Sequence, residues 1–120
     1  MSNEKVKEIV NLTPHDVVLV LGNGRKLTIQ RSGNVLRLPE TVKNTADIEY
    51  QGEKIPVVDK ELGLADASLL PRVDGRIYIV PIVIAQLLNR DDFYVPDDLI
   101  RDDKGTVIGA RRLARVKRGN

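Results

Sequence analysis

Six consecutive residues, Asn11-Leu12-Thr13-Pro14-His15-Asp16, group the side chains best suited to chemistry. His15 is the only histidine, and imidazole titrates nearest neutral pH. Beside Thr13 and Asp16 it could serve as a general base, or as a donor to a bound ligand, with a carboxylate orienting the ring. That would be the start of a small hydrolase. A hydrolase also needs a nucleophile or a metal, and the spacing of the remaining residues supplies neither. The same residues have a structural use: Thr13 and Asp16 bond to nearby backbone, Pro14 fixes a turn, and His15 ties that turn to the strand that follows. No catalytic residue is assigned.

Four other groups bear on binding. Arg101 stands among aspartates; it could clamp a phosphate or carboxylate, or form a cross-strand ion pair. Phe93 and Tyr94 lie in a loop with Pro96; Tyr94 is read as a surface contact that could stack on a ligand, and Phe93 as closure of the core. The aspartates at 91, 92, 97, 98, 102 and 103 supply oxygen ligands of the kind hard cations take, yet without the spacing of a cation loop. A solvated turn and helix-exit loop is the favoured reading of them, and pairing with the basic tail is a further use. That tail, with Arg111, Arg112, Arg115, Lys117 and Arg118, could neutralise nucleic-acid phosphates, although it lacks interleaved aromatics. The glycines at 22, 24, 33 and 105 match turns rather than a phosphate loop.

The elements that must position these residues are mostly strands. Val17–Leu21 and Lys26–Gln30 flank Gly22-Asn23-Gly24, a hairpin signal because those turn residues tolerate positive φ. Val35–Leu38, Asp47–Gln51 and Ile55–Asp59 read as further strands, the last at an edge because Pro56 cannot donate to a ladder. Leu62–Leu70 reads as a short helix or packed loop. Arg76–Val80 is a strand, and Pro81–Asn89 a helix begun by proline and apolar nearly all round, hence buried. Leu99–Arg101 and Thr106–Ile108 flank Asp102–Gly105 as another hairpin. Short turns between strands predict an α+β fold, an antiparallel sheet packed on one buried helix.

The chain has 120 residues, net charge +2 and no cysteine. The length suits a single domain, here residues 8–110, with a loose segment 1–7 before it and the basic tail 111–120 after it. Without cysteine there is no disulfide, thiolate metal site or cysteine nucleophile. The longest apolar run, Ile77–Leu88, is too short to span a membrane, and the first residues lack a leader pattern. These features lead to the expectation of a cytoplasmic protein that needs neither membrane nor cofactor.

The opening Asn11-Leu12-Thr13-Pro14-His15, the strand Ile77–Val80 leading into a helix, and the segment Arg101–Gly109 together resemble a family of small phage and bacterial proteins. The resemblance touches most of the chain through three short blocks. Two departures are Pro81, where family members often carry serine, and a longer basic tail. The resemblance implies a phage or prophage setting, where such modules act as host-defence inhibitors, nucleotide sponges or adaptors, and it carries over no catalytic role. The combined expectation is a homo-oligomeric, non-enzymatic module for an anionic, nucleotide-like ligand or a partner protein, with contacts from Thr13, His15, Tyr94, Arg101, Arg111 and Arg112. Nucleic-acid binding through the tail and hydrolysis by His15 with Asp16 are the alternatives.

Overall fold

The structure, a computed structural model, describes residues 5–117 and 119; residues 1–4 of the N-terminal segment and Arg118 of the tail lie outside the described residues. The first half is all strand: β1 (Glu8–Asn11), β2 (Val17–Val20), β3 (Lys26–Ile29), β4 (Glu40–Asn44), β5 (Ile48–Tyr50), β6 (Glu53–Ile55) and β7 (Val58–Leu62). The second half adds α1 (Ala65–Ser68), β8 (Arg76–Ile79), α2 (Ile82–Leu87), β9 (Phe93–Arg101) and β10 (Val107–Ala114).

Six strands form one sheet in the order β1-β8-β9-β10-β2-β3. The sheet rolls until its two ends almost meet, where Asn11 of β1 bridges to Arg31 just beyond β3. The result is a nearly closed barrel. Side chains alternate along each strand, so one set points inward: Val17, Leu19, Ile79 and Ala110 are buried there, with Ile9, Leu21, Ile29 and Leu113 packed against them. The outward set of β8 and β9, Tyr78, Val80, Phe93 and Val95, forms a second core with Leu12, Ala67, Ile84 and Ala85. At Gly109 the barrel draws tight, since a Cβ there would lie 3.1 Å from the Val18 carbonyl oxygen.

This architecture overturns the expected α+β fold of an antiparallel sheet packed on a buried helix. The fold is mostly β. Its helices are four and six residues long. Three of the five strand pairings in the barrel are parallel, β1–β8, β8–β9 and β10–β2. Instead of Pro81–Asn89, the helix covers only Ile82–Leu87, because Leu88 turns to extended backbone. It buries Ile84 and Ala85 but leaves Ile82, Val83 and Leu87 exposed. The physical reason is closure: a sheet that fills its own interior needs no helix to cover that face, so the apolar character of residues 82–87 serves two surfaces. The local hairpins were well signalled. β2 and β3 pair antiparallel, as do β9 and β10, with Gly24 and Gly105 at positive φ in their turns.

A second feature sets the overall shape. Strands β4 and β7 pair antiparallel, and β5 and β6 continue outward to a tip at Gln51-Gly52, both at positive φ. Residues 39–63 thus make a long two-stranded arm. Every residue of β4 to β7 is exposed, and the arm strands make their main contacts only with one another. The molecule measures 59 × 39 × 34 Å with a radius of gyration of 18.4 Å, against about 14 Å for a compact chain of this length.

Candidate functional site

The opening motif closes the barrel. Asn11 is fully buried, and its amide nitrogen donates to the carbonyls of His15 (2.9 Å) and Ile29 (3.1 Å). Its side-chain oxygen accepts the Thr13 N–H (3.0 Å) and lies 2.7 Å from the Thr13 hydroxyl. That hydroxyl is also 3.0 Å from the His15 carbonyl. Asp16 accepts the Arg31 N–H through Oδ1 (2.9 Å), and the Asn11 carbonyl accepts the Ser32 N–H (2.9 Å). One asparagine therefore joins β1, the turn and the end of β3, where no strand ladder does so. The His15 ring is exposed, and among the described residues it has no hydrogen bond or ion pair, so it forms no dyad with Asp16.

Thr13, His15 and Asp16 do border a groove of about 440 Å³. Its walls are otherwise apolar: Val18 of β2, Ile82 of α2, Leu99 of β9, and Val107 and Ile108 of β10. Four of these side chains, Ile82, Leu99, Val107 and Ile108, are 42–58% exposed.

The remaining expected contacts are dispersed. Arg101 donates to the Gly105 carbonyl (2.9 Å) and so braces the β9–β10 turn. Asp102 caps the same turn, accepting the N–H groups of Lys104 and Thr106. Arg111 and Arg112 are part of β10 and pair across to Asp98 (3.4 Å) and Asp97 (2.7 Å) of β9. The acidic run and the basic run are thus partners. The hydrogen bond from Arg112 holds the Asp97 carboxyl below the usual aspartate range. A depressed carboxyl stabilises the fold above its unfolded value and loses that contribution as pH falls through the folded one. Arg112→Ala is therefore expected to raise the Asp97 titration towards the ordinary aspartate range and to weaken this acid-side dependence, as read by carboxyl ¹³C NMR.

A cationic cleft of about 290 Å³ lies elsewhere, between the end of α2 and the residues following β10. Arg72, Arg90, Arg115 and Lys117 line it with Asn89 and one carboxylate, Asp91. A second hollow of about 200 Å³ adjoins it, sharing Asn89, Val116 and Lys117 and adding Gln86. Arg90 is committed to structure: its side chain is 7% exposed and forms a two-pronged pair with Asp92 (2.9 and 2.6 Å). It also donates to the Leu70 carbonyl (2.8 Å), and its guanidinium carbon lies 4.6 Å from the centre of the Phe93 ring. Arg72 pairs with Asp91 at 2.9 Å in exposed surroundings, where such a pair is weak. Arg115 lies over the Tyr94 ring at 6.0 Å. Among the described residues neither Arg115 nor Lys117 has an ion-pair partner.

Comparison with protein-family models, with curated proteins and with solved structures found no match.

Among the described residues there is no cluster of three metal-ligating side chains, and no helix is long and apolar enough to cross a membrane. Of the six contact residues read from the sequence, only Tyr94 reaches the cationic cleft, through Arg115. Thr13 and His15 border the apolar groove, and Arg101, Arg111 and Arg112 brace the β9–β10 hairpin. Sequence reasoning missed Arg72, Gln86 and Asn89. The one local signal was polar residues closing an apolar run, Gln86 and then Asn89-Arg90. Nothing local links them to residues 115–117.

Proposed function

We propose that the protein is a non-enzymatic module that binds a small anionic, nucleotide-like ligand in the cationic cleft. The observation that carries this reading is a lining of four cations against one carboxylate. Arg90 and Arg72 already have partners, so Arg115 and Lys117 supply the surplus charge. Arg115 lies over Tyr94 at the cleft, and its planar guanidinium suits two phosphate oxygens. Asn89 and Gln86 add neutral donors and acceptors next to it. The two adjoining hollows approach the lower end of the volumes that small-molecule sites occupy, about 300 Å³. The cleft's ionisable groups suit holding an anion. In the phage or prophage setting implied by the opening motif, such a module would withdraw its ligand from the host.

Isothermal titration with ADP and with inorganic pyrophosphate tests the reading. Binding should weaken as salt rises, because exposed charges are screened. Arg115→Ala and Lys117→Ala should each weaken it about tenfold, equivalent to about 1.4 kcal/mol. No heat with either probe at about 1 mM and low salt would exclude phosphate-bearing ligands.

A further inference from the structure

The arm of residues 39–63 has no role in the anion cleft, and its construction calls for a partner. Directly opposed residues of an antiparallel pair share a face. In the β4–β7 section Glu40 opposes Leu62, Val42 opposes Lys60 and Asn44 opposes Val58, so Val42, Val58 and Leu62 share a face with the Glu40–Lys60 ion pair (3.6 Å), whereas Thr41, Lys43, Asp59 and Glu61, none of them apolar, occupy the other. At the tip Ile48 opposes Ile55 and Tyr50 opposes Glu53, with Glu49 and Lys54 behind them. Each section is amphipathic, yet its apolar side chains lie open: Val42 is 57% exposed, Ile48 55% and Tyr50 64%. A lone two-stranded hairpin is marginally stable in water. Burial of this apolar face on another surface is what would hold the arm extended.

Charge and shape select the occupant. Residues 39–63 carry six acidic and three basic side chains, and the rest of the chain carries eleven acidic and sixteen basic. An acidic arm and a basic body are complementary between copies of one chain. The body also offers a receptor of matching character, the 440 Å³ groove with exposed Ile82, Leu99, Val107 and Ile108. His15 and one carboxylate, Asp16, stand at its border, and Arg101 directly opposes Val107 in the β9–β10 pair. A stable interface takes about 20–30 residues from each side. The 25 residues of the arm and one groove reach that size, and a two-fold exchange uses both twice.

We propose that two copies of the chain associate by arm exchange, the apolar tip of one arm (Ile48, Tyr50, Ile55) seated in the groove beside β9 and β10 of the other. The inference is independent of the anion reading, since neither arm nor groove contains Arg115 or Lys117.

Sedimentation velocity over a concentration series tests it on the full chain. The wild type should be a dimer that dissociates on dilution. Ile48→Ser with Tyr50→Ser, on the arm, should be monomeric, and so should Ile108→Glu, in the groove. Ile82→Glu, on α2, probes the same groove should the β10 variant fail to fold, as judged by circular dichroism. An equimolar mixture of arm and groove variants should regain a heterodimer, because one intact arm still meets one intact groove. A wild type that stays monomeric up to about 1 mM overturns the proposal and leaves the arm to a different macromolecule. A dimer that survives the arm substitutions also overturns it. Loss of the dimer in the arm variant alone, with folded groove variants still dimeric, overturns the arm-to-groove contact in favour of arms packed on each other.

Discussion

Asn11→Ala is expected to lower the stability of the folded chain by about 4 kcal/mol, since each buried polar group left without a partner costs roughly 1–3 kcal/mol. The substitution takes the amide donor from the carbonyls of Ile29 and His15, the latter keeping the Thr13 hydroxyl, and removes the acceptor that holds the Thr13 N–H. A domain of this kind has only about 5–15 kcal/mol in total, so the variant should unfold at markedly lower urea. Asn11→Asp is the informative control. It keeps the shape and the acceptor but turns a carboxylate oxygen towards two carbonyl oxygens. At neutral pH it should fare no better than alanine. Because burial raises a carboxyl's pKa, its stability should be greater at low pH and be lost as pH rises. A loss below about 1 kcal/mol for Asn11→Ala, the size of one ordinary hydrogen bond, would show that the barrel closes without this asparagine.

Arg90 is expected to give the second large effect. Arg90→Ala and Asp92→Ala should each cost about 3 kcal/mol, because each leaves the other charge buried without its two-pronged partner, Asp92 keeping, among the described residues, only the exposed Arg72 at 3.9 Å. Arg90→Ala also frees the Leu70 carbonyl and opens the ring contact with Phe93. Since Arg90, with the Tyr78 hydroxyl on the Pro71 carbonyl, ties the segment around the end of α1 to the barrel, amide exchange should quicken at Ser68 and Leu69 before it does in β8 or β9. The paired replacement Arg90→Met with Asp92→Leu should cost far less than the two single losses together. In a double-mutant cycle the coupling should be about 2 kcal/mol, and additivity within about 0.5 kcal/mol would remove the case for a mutually dependent pair.

What the sequence made legible was local. Asn-Gly and Asp-Lys-Gly turns between alternating strands located the β2–β3 and β9–β10 hairpins, because turn chemistry acts within a few residues. Phe93 was placed in the core and is 1% exposed. The charge blocks at 91–103 and 111–118 were legible as partners, and Asp97 with Arg112 and Asp98 with Arg111 are such pairs. The barrel was not legible. Parallel strands carry no turn signal, and nothing near Glu8 says that it lies beside Arg76. Exposure of the arm was hidden for a related reason: Ile48 and Val58 alternate as half-buried strand residues do, and only the full fold shows nothing beneath them. His15 drew attention by its chemistry, yet its main-chain carbonyl is the part the fold uses.

The parallel joint between β1 and β8 has a consequence for how the chain reaches this state. Glu8 and Arg76 meet although they are 68 residues apart, and β2 must wait for β10, near the end of the chain. Such distant contacts slow folding, because the loop has to close before they stabilise anything. During synthesis β1, β2 and β3 leave the ribosome long before β8 and β10, with partners already present for the β2–β3 hairpin and for the contacts of Asn11 to its far end. The arm emerges next, its apolar side chains open to any neighbouring chain. The edges of β1 and β2 that await β8 and β10 therefore stay open while the intervening chain is made, whereas the Asn11 clasp, whose partners Thr13, His15, Ile29 and Ser32 all lie close in sequence, needs none of the later strands.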